Sequence, residues 1–162
     1  EAATDAALDQ LISMRKREGD QLTTDIRYKI EQMTEQLALV AKRAEVVPGE
    51  QRERLERRVE ELLGQNAEEY YEGQRVAAEI AIFADKASID EELVRLDSHL
   101  RQLDVILDED NPIGKKLDFL CQEINREINT IGSKSSDLEI TGQVVQMKTA
   151  LEKIREQVQN LE

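Results

Sequence analysis

Apolar residues recur along this chain at intervals of three and four, and nowhere with the two-residue alternation of a half-buried strand. Leu22, Ile26, Ile30, Met33, Leu37, Val40 and Ala44 form one such stripe, the buried side of a long helix. Val46-Val47-Pro48-Gly49-Glu50 interrupts it, and Leu55, Val59, Leu62 and Leu63 resume the period. Proline followed by glycine is a strong breaker, so the pattern predicts an antiparallel helical hairpin with its tip at Pro48-Gly49. A further helix is expected through Val76, Ile80 and Phe83, ending near Ala87. Ser88 and Glu91 have the spacing of a capping box, opening a helix whose core face is Ile89, Leu93, Leu96, Leu100, Leu103 and Leu107. Asp108-Glu109-Asp110-Asn111-Pro112 stops it. The same near-heptad alternation returns in Ile140, Val144, Met147, Leu151, Ile154, Val158 and Leu161, the kind of seam that packs in bundles and coiled coils. The fold class read from this is all-α. A long helical hairpin or arm is expected over 1–84, and a C-terminal helical domain with coiled-coil-like seams over 85–162.

Between the two seams lies a helix that departs from the pattern. Leu117, Leu120, Cys121, Ile124, Ile128 and Ile131 are its buried stripe, beginning near Gly114. Asp118, Gln122, Asn125 and Asn129 stand along one flank, Lys116, Glu123 and Glu127 along the other, and Phe119 and Arg126 share the face opposite the stripe. Asparagine is a poor interior helix former, and an aromatic ring aimed away from a core needs a partner, so this segment reads as a contact surface. A bundle helix with its amides hydrogen-bonded is the plainer alternative. Gly132-Ser133-Lys134-Ser135-Ser136 reads as a small hydroxyl-rich turn, suited to holding a phosphate or capping the next helix.

Composition narrows the classes. Of 162 residues, 35% are charged and only 3% aromatic, the profile of long amphipathic helices. The net charge of −13 opposes non-specific nucleic-acid binding, so contact with RNA requires a local basic patch, a metal or an oligomeric surface. No apolar run reaches the length of a membrane span, and the single cysteine, Cys121, fits a reducing compartment, so the chain reads as soluble and intracellular. Cys121 lies on the apolar face and is expected in the core. His99 is the only histidine, which excludes chemistry needing two imidazoles from one chain. Glu92 and His99 share a flank of their helix with Arg95 between them. Together with Glu123 and Glu127 they can bind a divalent ion if the neighbouring helix presents that side; a surface histidine beside ordinary ion pairs is the competing reading.

Several blocks, taken in order and spacing, resemble the C-terminal half of the bacterial YicC/YloC family. They are Ile89-Asp90-Glu91-Glu92-Leu93-Val94-Arg95-Leu96-Asp97-Ser98-His99, Gly114 through Glu127, Asn129-Thr130, Ser133-Lys134-Ser135 and Arg155 through Glu162. Upstream, Arg15, Glu18, Gly19 and Leu22 are similar to the start of that family's helical half, and the hairpin arms match only in character. The resemblance implies a cytoplasmic, metal-dependent endoribonuclease linked to stress and small-RNA turnover, working beside other RNA-degradation enzymes. It also implies a ring-like homo-oligomer, a hexamer, and an additional N-terminal domain, so the chain is expected to be part of a longer enzyme. The family's polar positions fall here on Glu91, Glu92, Arg95, His99, Lys115, Asp118, Gln122, Glu123, Asn125, Arg126, Glu127, Asn129 and Lys134. Two departures are Gln146, where relatives often carry an acid that, if it serves metal binding, would leave this chain the weaker binder, and Lys16, which replaces another.

From these residues comes the working expectation of RNA hydrolysis with Mn²⁺ or Mg²⁺ held by some of Glu92, His99, Asp118, Glu123 and Glu127. Glu92, His99, Glu123 and Glu127 are the expected catalytic set. Arg95, Lys115, Arg126 and Lys134 would hold phosphates, Phe119 would stack on a base, and Gln122, Asn125 and Asn129 would bond sugar or base edges. Three rivals stand beside it: a non-catalytic helical RNA-binding adaptor serving a separate nuclease, an oligomerisation module whose polar residues build subunit interfaces, and a plain coiled-coil scaffold.

Overall fold

In a computed structural model, residues 2–63, 73–109 and 112–159 are described, and all their regular structure is α-helix. Five helices follow in order: α1 (Ala2–Leu63), α2 (Gly73–Ala87), α3 (Asp90–Ile106), α4 (Gly114–Lys134) and α5 (Leu138–Val158). Of the positions named from the sequence, Asp110, Asn111 and Asn160 to Glu162 lie outside the described residues, as do the side chains of Val59, Leu62, Leu63 and Val76.

The stripes predicted from periodicity meet in one core. Ile26, Ile30, Met33, Leu37 and Val40 of α1 are buried with Leu96, Leu100 and Leu103 of α3, the α4 stripe from Leu117 to Ile131, and Ile140 to Val158 of α5. The core thus joins residues on both sides of position 85. Within the bundle α1, α3, α4 and α5 each pack on two of the other three, α1 with α3 and α5, and α4 with α3 and α5, so α1 and α4 stand on one diagonal of a four-helix bundle. Cross-helix pairs give the directions. Asp25 meets Gln157 and Gln36 meets Gln146, so α1 and α5 are antiparallel. Lys134 meets Glu92 and Glu127 meets Arg95, so α3 and α4 are antiparallel too. Where α4 gives way to α5 the helices come close: a Cβ on Gly132 would lie 3.1 Å from Cγ1 of Val144, a tight contact that the valine would have to relieve by a small shift.

Three local expectations are corrected. The helix does not break at Pro48-Gly49; α1 runs through it as one rod of 62 residues, about 93 Å at 1.5 Å per residue. An interior proline costs about 3 kcal/mol because it removes one bond to the carbonyl four residues back. Here Ala44 and Val47 pack against the core on the near side, and Arg43 donates to both carboxylate oxygens of Glu50 (2.7 and 2.6 Å), bridging the proline. The hairpin survives with a different return arm, since α2 packs back on α1, with Ala84 and Ala87 near Ala44 and Phe83 near Gln51 and Arg54. The predicted Ser88–Glu91 capping box does not form. Buried Ile89 takes the cap position, which leaves Ser88 one residue too early; its hydroxyl bonds Asp90 and Glu91 pairs instead with Arg95. Nor is Gly132 to Ser136 a free turn. Gly132, Ser133 and Lys134 are the last turn of α4, and Asp137 caps α5 by accepting from Glu139 N and Ile140 N, both at 3.0 Å.

Candidate functional site

The buried stripe of α4 fixes what its other sides can meet. With Leu117, Leu120, Ile124, Ile128 and Ile131 turned inward, Glu123, Glu127 and Lys134 fall on the flank against α3, where α3 supplies Glu92, Arg95 and His99. Lys134 Nζ donates to Glu92 Oε1 at 2.9 Å and to the Ser88 carbonyl at 3.1 Å. Arg95 Nη2 donates to Glu91, while its Nη1 lies 3.9 Å from Glu127 Oε1, too long for a hydrogen bond.

Glu92 (6% exposed) and Glu127 (3% exposed) are the only buried charged side chains among the described residues. The second oxygen of Glu92, Oε2, is buried without a partner, as is Nδ1 of His99. Taking a carboxylate out of water costs several kcal/mol unless it is fully paired, so a bundle gains nothing by placing two of them in one seam.

Turned outward from the core, Phe119 is 60% exposed, and Lys115, Asp118, Gln122, Asn125, Arg126 and Asn129 are exposed around it. Gln122 Nε2 donates to Asp118 Oδ2 at 2.8 Å, and Arg126 Nη1 lies 3.9 Å from Glu123 Oε2. The two polar groups recognised in the sequence are therefore adjacent surfaces of one helix, a half-buried charged seam and an open amide-and-aromatic face.

The structure does not bring all the candidate metal ligands together. Asp118 sits on the open face, bonded to Gln122, away from the seam with α3. Among the described residues no three side chains of the types His, Cys, Asp and Glu converge as a metal set. Lys134, expected at a phosphate, is tied to Glu92. Gln146 lies on the opposite side of the bundle, accepting from Gln36 Nε2 at 3.2 Å. Burial pushes the Cys121 thiol up to about 11, so it is an inert core group. Sequence reasoning missed Asp137 and its partner Arg43. An aspartate directly before the apolar period of Leu138 and Ile140 was the available signal for the cap, whereas nothing local announced an arginine 94 residues away.

A family model described as endoribonuclease YicC-like, C-terminal, matches residues 40–162. The chain belongs to the YicC-like family. Over 160 residues it is 46% identical to a protein of Clostridioides difficile named "Probable endoribonuclease YicC", covering 99% of this chain and 54% of that one. A Haemophilus influenzae protein of the same name is 38% identical over the same shares. The chain thus spans about half the length of these YicC relatives. Both YicC matches run through α1 as well as the bundle, so the family relationship extends over the whole all-α architecture.

Proposed function

We propose that this chain is the RNA-gripping and RNA-cleaving helical part of a cytoplasmic endoribonuclease acting on structured or small regulatory RNA. Two curated relatives named as probable endoribonucleases support the activity class. The observation that carries the reading is the pair of buried carboxylates, Glu92 and Glu127, beside an exposed face of Phe119, Arg126 and amides. RNA lies against α4 in this reading. Phe119 stacks on a base, a contact worth about 1–3 kcal/mol per base, Gln122, Asn125 and Asn129 bond sugar or base edges, and Lys115 and Arg126 take phosphates.

In this reading a divalent ion of the Mg²⁺ or Mn²⁺ kind, commonly held by one or two carboxylates with water and substrate phosphate completing its shell, would bind at the seam. Glu92, through its unpartnered Oε2, and buried Glu127 are the residues that would hold it, with Glu123 and His99 as further candidates. Asp118 does not fit this set. When bound, the ion supplies an activated water and neutralises charge on the attacked phosphate. Arg95, half-exposed at the seam's rim, would take an adjoining phosphate. Assembly of several copies, as a ring, would present several such faces to one RNA.

Glu92→Gln and Glu127→Gln test the assignment in the full-length protein, with metal-dependent cleavage of a structured RNA and RNA affinity measured together. Cleavage is expected to fall at least a hundredfold with affinity within about twofold. Unchanged cleavage by both variants would sink the assignment. A second reading, a non-catalytic RNA adaptor or oligomerisation module serving a nuclease site elsewhere, draws support from the absence of a converged three-donor set among the described residues. It predicts instead that these substitutions weaken RNA binding or shift the oligomer seen by light scattering.

A further inference from the structure

Two proximities fix how α5 lies along α4. Gly132 meets Val144 near the turn, and farther along the positive charge of Arg155 bears on the Cys121 thiol. Numbers rise on one helix as they fall on the other, by equal steps, so the two helices are antiparallel in a definite register. Lys148, four residues after Val144, is therefore level with Ile128, four before Gly132, and stands between the levels of Asn125 and Asn129. Residues seven apart share a line along a helix. Thr141, Lys148 and Arg155 thus make one line beside Val144 on the α4 side of α5, while Gln143, Gln146 and Gln157 lie on the side toward α1. On α4, Asn125 shares the line of Gly132 and so stands on the side toward α5.

The charges on this α4–α5 shoulder leave a cation over. Asp118 accepts from Gln122, and Glu152 has Arg155 Nη1 at 3.4 Å. Lys148 is exposed, with no ion pair or side-chain hydrogen bond among the described residues, and Nε of Arg155 is without a partner. On the α3 side of α4 the balance is reversed: Glu91, Glu92, Glu123 and Glu127 outnumber Arg95 and Lys134. A chain of net charge −13 holds a polyanion only where cations are locally in excess. A phosphate backbone lying on the exposed side of α4, at Phe119 and Arg126, is therefore repelled toward α3 and drawn toward α5. With side chains a helix is only about 10–12 Å across, so a short strand stacked on Phe119 also reaches α5.

We infer that the RNA-binding face continues from α4 onto α5, where Lys148, level with the gap between Asn125 and Asn129, and Arg155 hold backbone phosphates of the strand whose base stacks on Phe119. This rests on the RNA-gripping reading of α4 and adds the direction the strand takes. It crosses α4 toward α5 and does not run along the α3 seam. Asn125 and Asn129 then meet the sugars between the stacked base and the held phosphates. The grip needs no metal ion.

Fluorescence anisotropy of a 5′-labelled single-stranded RNA, titrated with the full chain in EDTA at several salt concentrations, tests this. Each phosphate contact on a single strand adds about 0.7 to the slope of log affinity against log salt, roughly fivefold in affinity near 0.1 M salt. Lys148→Gln and Arg155→Gln are each expected to lower the slope and the affinity by those amounts, and Lys148→Arg to keep both at the wild-type values. Lys42→Gln, which removes an exposed cation of α1 beside the α1–α5 groove, should match wild type. Phe119→Ala should weaken binding with the slope unchanged. Should Arg155→Gln lose helicity by circular dichroism, the two Lys148 variants decide alone. Wild-type slope and affinity in Lys148→Gln, with binding weakened in Phe119→Ala, overturn the extension onto α5 and leave RNA on α4. An equal fall in slope for Lys42→Gln overturns it too, because the attraction is then diffuse. No RNA binding by the wild-type chain overturns the RNA-gripping reading and the extension together.

Discussion

The bundle has two opposite seams, and they are built from different chemistry. Between α1 and α5 the cross-helix contacts are amide hydrogen bonds and one largely buried ion pair: Gln36 with Gln146, Gln157 with Asp25, and Arg43 with Asp137. Between α3 and α4 they are two buried glutamates and two half-exposed cations. Unpartnered atoms occur in both, but they weigh differently. Gln36 Oε1 and Gln143 Oε1 are neutral acceptors, each costing about 1–3 kcal/mol at most, beside an open groove of about 620 Å³. Glu92 Oε2 belongs to an ion, whose desolvation is several kcal/mol more expensive. The α1–α5 seam is what a bundle needs to fix its register. The α3–α4 seam carries a desolvation cost that fixing the register does not require.

The largest effect that separates packing from charge should appear on α4 itself, at neighbouring positions. Ile128 is fully buried in the core, and Ile128→Ala is expected to cost about 2–5 kcal/mol in urea unfolding, from lost burial plus the cavity left behind. Glu127→Gln keeps the shape and removes a buried charge whose partner, Arg95, remains solvated and paired with Glu91. Its stability should therefore change by less than about 1 kcal/mol, in either direction. A loss comparable to that of Ile128→Ala would mean that the glutamate is a structural brace and that the contrast between the seams is only apparent.

The sequence made one half of this contrast legible and hid the other. Every stripe from Leu117 to Ile131 and from Ile140 to Val158 is buried as its period required, because helical spacing directly encodes which side meets the core. The outward aim of Phe119 and the flank position of Glu127 followed from the same spacing. What the period cannot encode is which flank meets which neighbour. Asp118 and Glu123 looked equivalent as metal donors, yet the pairing of α4 with α3 on one side and α5 on the other separates them. Pro48 misled for a related reason. A breaker states a local cost, whereas the continuity of α1 is decided by Ala44, Val47 and the Arg43–Glu50 bridge, two of which act through the tertiary fold.

Acid should expose the α1–α5 seam next. Arg43 beside Asp137, and Lys29 with Gln157 beside Asp25, hold both carboxyls below their ordinary value of 3.8, and Arg43 likewise holds Glu50 below its own. The folded chain therefore binds fewer protons than the unfolded chain as pH approaches 4 from above. This contribution is fully present above about pH 5 and is lost as pH falls through the lowered folded values. Thermal melts should be flat from pH 7 to 5 and drop steadily from pH 4 to 3. At neutral pH, Asp137→Ala should cost about 0.5–2 kcal/mol, since it removes the cap of α5. Its acid drop should also be shallower than wild type. An equally steep drop in that variant would move the acid sensitivity out of this seam.

The smallest effect is the most telling about position. The family resemblance sets the expectation of an acid at Gln146, and an acid there would join the proposed ligands only if it reached Glu92 and Glu127. It does not: Gln146 is exposed on α5 and bonded to Gln36 of α1, across the bundle from the α3–α4 seam. Gln146→Glu exchanges one long side chain for another at an exposed site, where substitutions usually fall within about 0.5 kcal/mol. Stability should shift by no more than that, and Mn²⁺ affinity with RNA present should stay within twofold of wild type. A clear gain in Mn²⁺ affinity would place a metal-binding group on α5, and the division of labour between the two seams would have to be redrawn with the α1–α5 side as part of the working face.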